Sequence, residues 1–101
     1  MIDRNLYAGL IRLHLLHHAA EGPIFGQEMI DELGRHGYRL SAGTLYPILH
    51  GMERQGYFRS WSTLHNGRTR RMYRATPAGR KALVTARKRV RELFGEMFEH
   101  D

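Results

Sequence analysis

Cysteine is absent from this chain of 101 residues. Disulfide staples, thiolate nucleophiles and cysteine-ligated zinc or iron–sulfur sites are therefore excluded. Proline is scarce, with single residues at positions 23, 47 and 77, so no proline-rich linker divides the sequence. No apolar run approaches the roughly 18 residues of a membrane span. The start, Met1-Ile2-Asp3-Arg4, lacks the basic-then-apolar layout of a secretory signal, so a cytoplasmic location with no membrane partner is expected. Nucleophile–base pairs, a phosphate-cradling loop and a zinc-protease motif are missing too. That argues against an enzyme: no catalytic residue and no cofactor is expected.

Acidic residues are short in one stretch only. Residues 1–40 have a net charge of −1 and residues 92–101 of −4, with Glu92, Glu96, Glu99 and Asp101. Residues 41–91 hold ten arginines and two lysines against the single Glu53, a net +11. So concentrated a charge suggests a polyanion: duplex DNA first, RNA second, an anionic membrane third. Taken alone it also fits a solvated basic face. With 42% hydrophobic residues and ten aromatics the chain can build a core, but one small enough to invite a partner chain.

Hydrophobic periodicity places the elements. Asp3 caps a first helix running to about Ala20, with one apolar stripe at Leu6, Leu10, Leu13 and Leu16 or His17. A second stripe holds Tyr7, Ile11, Leu15 and His18. A helix apolar on two sides lies between its own core and something else. Gly26 to Leu33 reads as a short second helix, and Ser41 caps a third that reaches about Gln55. Residues 57–65 and 69–75 alternate as strands around Asn66-Gly67, a strong hairpin signal. Thr76-Pro77 then opens a fourth helix to about Phe98, roughly 33 Å long.

This order predicts a mainly α fold with a small β-hairpin, a winged helix-turn-helix. Residues 1–76 form the DNA-binding part and residues 77–101 a dimerisation helix, within one compact domain. The third helix would enter the major groove. Ser41, Ala42, Gly43 and Thr44 are small enough for close approach to phosphate, at a helix start whose dipole attracts anions. Tyr46 and His50 follow within reach of phosphates or bases. Pro47, inside the helix, predicts a kink or a distorted first turn. At the wing, Asn66 and Gly67 make the tip, while Arg68, Arg70 and Arg71 offer forks to backbone phosphates or the minor groove. RNA or single-stranded nucleic acid remains an alternative, because Trp61 and Tyr73 lie among the basic residues. A winged helix that binds protein is another.

The segments Leu40-Ser41-Ala42-Gly43-Thr44-Leu45-Tyr46-Pro47-Ile48-Leu49-His50, Met52-Glu53-Arg54-Gln55-Gly56-Tyr57 and Arg70-Arg71-Met72-Tyr73-Arg74-Ala75-Thr76-Pro77-Ala78-Gly79-Arg80 resemble the PadR-type transcriptional regulators. The resemblance covers about residues 6–98. It implies a winged-helix homodimer on palindromic promoter DNA, usually a repressor, with the last helix carrying dimerisation. It also implies a small hydrophobic effector at the dimer interface, since phenolic acids and flat lipophilic drugs act on the family. Ala42 and Gly51 depart from it, standing where the family often has proline and a larger, frequently basic residue.

The fourth helix is too long for the rest of the chain to cover. Its stripe of Leu83, Ala86, Val90, Leu93, Phe94, Met97 and Phe98 is expected to meet a second copy, joined by Tyr7, Ile11, Leu15 and His18 of the first helix. The basic residues at 80–91 and the acids after them predict an antiparallel crossing in which opposite charges face each other. His14, His17 and His18 fall at i, i+3 and i+4, within reach of one metal. Without cysteine or an obvious carboxylate partner, the spacing reads as packing, and no metal site is expected.

Overall fold

The computed structural model describes residues 3–99. Asp101, one of the C-terminal acids counted above, lies outside them, as do Met1, Ile2 and His100. Asp3 has an extended backbone and accepts from the amides of Asn5 and Leu6 at 2.9 and 3.3 Å, which starts α1 (Arg4–Glu21). There follow β1 (Ile24–Phe25), α2 (Gly26–Arg35), α3 (Ala42–Arg54), β2 (Phe58–His65), β3 (Arg68–Ala75) and α4 (Pro77–Phe98). Every helix expected from periodicity is present within two residues of its expected ends. None of the described helices is long and apolar enough to cross a membrane.

The hairpin expectation is one strand short. β1 adds to β3, giving an antiparallel sheet in the order β1-β3-β2, with Ile24 opposite Tyr73 and Phe25 opposite Met72. Two residues have no readable alternation, so pattern alone could not find them.

The core gathers Ile11, Leu15, Leu16 and Ala19 of α1 with Met29, Leu33, Leu45, Leu49, Met52, Phe58 and Tyr73. This corrects the first helix's role. Ile11 and Leu15 are 2% and 0% exposed within one chain, so they have no surface to give a partner. Tyr7 packs against the same core beside Tyr38, with ring centroids 6.1 Å apart. His18 is turned toward α2, where its Nε2 lies 3.9 Å from Glu32. The stripe facing α4 is the other one, with Leu10, Leu13 and His17. Periodicity found both apolar faces, but only the tertiary fold decides which of them is the inside.

One joint fastens the wing to α4. The Thr76 amide donates to the Tyr57 carbonyl at 2.9 Å. Its hydroxyl donates to the Gly56 carbonyl at 2.5 Å and accepts from the Gly79 amide at 3.0 Å, capping α4. Gly79 is buried against Tyr57, and a Cβ there would strike the Tyr57 carbonyl. Beyond this turn Ala82 and Leu83 still pack against the core, and the apolar residues further along α4 are left open. Val90, Leu93, Phe94, Met97 and Phe98 are 45–62% exposed.

Candidate nucleic-acid interface

The start of α3 is an open helix N-terminus. Ser41, Ala42 and Gly43 are exposed, and no side chain caps the first-turn amides. Ser41 Oγ donates instead to Thr44 Oγ1 at 3.3 Å. Arg4 Nη1 donates to the same oxygen at 3.0 Å, from 40 residues earlier in the chain. Free amides, two hydroxyls and a guanidinium thus share one corner, the donor set a phosphate oxygen takes. Sequence reasoning missed Arg4, because no local signal links it to Thr44.

Further along α3 the expected residues divide. The tip of the Tyr46 side chain lies over Gly26, the first residue of α2, where any Cβ would collide with the phenol. Tyr46 is nonetheless 36% exposed, so one edge faces outward. Pro47 is exposed and denies the Gly43 carbonyl an amide partner, yet α3 runs through it as one element rather than breaking. His50 is exposed, with Nδ1 3.5 Å from the hydroxyl of fully buried Tyr73. Burial pushes the Tyr73 phenol up, and Glu53 adds to the shift.

The wing tip has the backbone its residues require. Asn66 and Gly67 take φ of 51° and 76°, and β2 and β3 pair without interruption to His65 opposite Arg68. The three wing arginines are not equivalent. Arg68 stands exposed at the tip. Arg70 is half-buried, its guanidinium carbon 3.7 Å from the centre of the Phe25 ring. Arg71 is exposed but tethered: Nη1 donates to Ser60 Oγ at 3.0 Å, and Ser60 donates to Glu53 at 2.6 Å. The one acid of the basic stretch therefore holds a wing strand to α3.

On another face, α1 and α4 frame an apolar groove of about 580 Å³. Leu10, Leu13, His14 and His17 line one wall, and Leu83, Ala86, Val90 and Phe94 the other, with Arg87 and Arg91 on its rim. His14 is held below the ordinary histidine pKa, chiefly by burial and then by neighbouring His36 and His18, with Glu32 opposing.

The chain matches known proteins over nearly all of this architecture. The transcriptional regulator PadR-like family model matches residues 15–85. The transcriptional regulator Rv3488 of Mycobacterium tuberculosis is 49% identical over 94 residues, 93% of this chain and 88% of that protein. A PadR family transcriptional regulator from Eggerthella lenta superposes with a TM-score of 0.79 at 27% identity, over 96% of this chain and 88% of the other. A transcriptional regulator from Clostridium thermocellum shares the fold, with a TM-score of 0.81 at 21% identity over 99% and 98% of the two chains.

Proposed function

The chain belongs to the PadR-like family of transcriptional regulators, and we propose that it represses transcription as a homodimer on a two-fold-symmetric site in double-stranded DNA. The observation that carries this reading is the open start of α3, where exposed Ser41, Ala42 and Gly43 stand beside Arg4 and Thr44. A phosphate bound there would seat α3 in the major groove, with Tyr46, Pro47 and His50 along it. Asn66, Gly67 and Arg68 at the wing tip would track the adjacent backbone. Arg71 would reach a phosphate with the guanidinium nitrogens that Ser60 does not occupy.

Support for the homodimer comes from α4. Its exposed Val90, Leu93, Phe94, Met97 and Phe98 form a surface that water penalises. With Leu83, Ala86 and α1's Leu10 and Leu13, they would pack on a second copy. An antiparallel crossing would bring Glu92, Glu96 and Glu99 of one helix toward Arg80, Lys81, Arg87 and Lys88 of the other. Among the described residues of one chain, only Arg89 approaches an acid on α4, at 3.9 Å from Glu92. Two recognition helices would then lie about 34 Å apart on one face of the duplex. The α1–α4 groove is where a small hydrophobic effector would enter and alter that spacing.

Competition of a labelled duplex against single-stranded DNA and RNA tests the reading. Duplex should win, and affinity should fall steeply with salt. Arg68→Ala should flatten the salt slope by about one unit if its guanidinium meets a phosphate. Preference for single strands, or binding indifferent to salt, would overturn it.

A further inference from the structure

We infer that the C-terminal end of α1 is a binding site for a transition-metal dication of the Zn2+ class, held by His17, His18 and Glu21. This goes beyond DNA binding and does not depend on it. The carboxylate partner missing from the histidine reading is Glu21, on the same helix, and the fold adds a second, Glu32, from α2. Glu21 lies at i+4 from His17 and i+3 from His18, and its Oε1 stands 3.6 Å from His17 Nε2 and 3.6 Å from His18 Nδ1. All three donor atoms fall within 4.8 Å of one another. A tetrahedral ion with bonds near 2.1 Å sets its ligands about 3.4 Å apart. Two edges of the site already match that figure, and a small rotation of exposed His17 closes the third.

A second, independent feature is the support behind His18. With Nδ1 aimed at the ion, its Nε2 faces Glu32 Oε2 of α2 at 3.9 Å. Glu32 is itself fixed, accepting from Arg35 at 2.7 Å and lying 2.9 Å from His36 Nε2. The 3.9 Å from His18 to Glu32 is beyond hydrogen bonding; a carboxylate that closes up behind a ligating imidazole sets its tautomer and strengthens the ligand. The last turn of α1 also presents the negative end of the helix dipole, which favours a cation.

Two imidazoles and one carboxylate suit zinc, cobalt or nickel better than calcium or magnesium. Three protein ligands leave a position for water, as in an exchangeable site rather than a closed structural one. His17 also lines the α1–α4 groove, and Glu32 belongs to the helix before α3. An ion here would therefore tie the groove's edge to the helix-turn-helix.

The test is calorimetric titration of the full chain, free of any histidine tag, with Zn2+ in the absence of DNA. Co2+ serves as the spectroscopic probe. One ion per chain is expected, with cobalt absorption of a four- or five-coordinate nitrogen–oxygen site. Glu21→Gln, an exposed and conservative change, and His18→Ala should each weaken binding at least 10-fold, and Glu32→Gln by about 10- to 100-fold. His65→Ala at the wing tip should leave it unchanged. Absence of saturable binding, non-integral uptake, or Glu21→Gln binding as tightly as the parent would overturn the proposal. None of these results would bear on duplex recognition, which is measured separately.

Discussion

Gly79→Ala distinguishes two physical arguments that predict opposite signs. Helix propensity favours alanine over glycine by about 1 kcal/mol inside a helix. Gly79 lies in the first turn of α4, so propensity alone forecasts a gain. The structure forecasts a loss, because the new Cβ would run into the Tyr57 carbonyl. That carbonyl is backbone and is already bonded to the Thr76 amide at 2.9 Å, so it has no rotamer by which to retreat. Overpacking of this kind costs about 1–3 kcal/mol, which leaves a net destabilisation of up to about 2 kcal/mol once propensity is credited. For a chain of this size that lowers Tm by up to about 16 °C. Gly34→Ala is the control, since nothing lies within 4 Å of its Cβ position; it should raise Tm by up to about 8 °C. Both are read by thermal unfolding at matched protein concentration, because association shifts Tm. A Gly79→Ala protein as stable as Gly34→Ala would refute the packing argument.

Other consequences are testable in the same way. Thr76→Ala removes both the α4 cap and the hydroxyl bond to Gly56, and should cost about 1–2 kcal/mol in denaturant unfolding. Arg4→Ala should weaken duplex binding with little change in stability, because its bond to Thr44 is exposed; unaltered affinity would remove Arg4 from the interface. Phe94→Asp should shift the mass measured by light scattering from dimer toward monomer, and a surviving dimer would move the interface elsewhere. His14 gives a pH dependence. Its folded pKa is depressed, so its contribution is complete above the unfolded value near 6.5 and is lost as pH falls through the folded one. In metal-free buffer, unfolding midpoints should fall between pH 7.5 and 5.5, and fall less in His14→Gln.

Much of this architecture is legible from residue pattern. Asp3, Ser41 and Thr76 mark three helix starts, and Asn66-Gly67 marks the wing tip. Local backbone chemistry decides those features, so a local reading suffices. What escaped depends on residues distant in sequence. Ile11 and Leu10 are equally apolar neighbours on α1, and only the placement of α2, α3 and the sheet puts one at 2% exposure and the other at 43%. Arg68, Arg70 and Arg71 look alike in a string, yet Phe25 takes Arg70 and Ser60 takes part of Arg71. Arg4 gains its place only because α1 begins beside Thr44. In the proposed metal site the ligands are local, Glu21 standing at i+4 and i+3 from His17 and His18 on α1, and only Glu32 behind His18 comes from another helix.

The Thr76 joint makes α4 a lever. Its 22 residues extend about 33 Å from a fulcrum that shares hydrogen bonds with the root of the wing. One degree of tilt at that fulcrum displaces the far tip by about 0.6 Å over this span. A small molecule that wedges α1 from α4 near Phe94 would thus be felt, geared down, as a reorientation at Gly56 and Tyr57, where β2 begins.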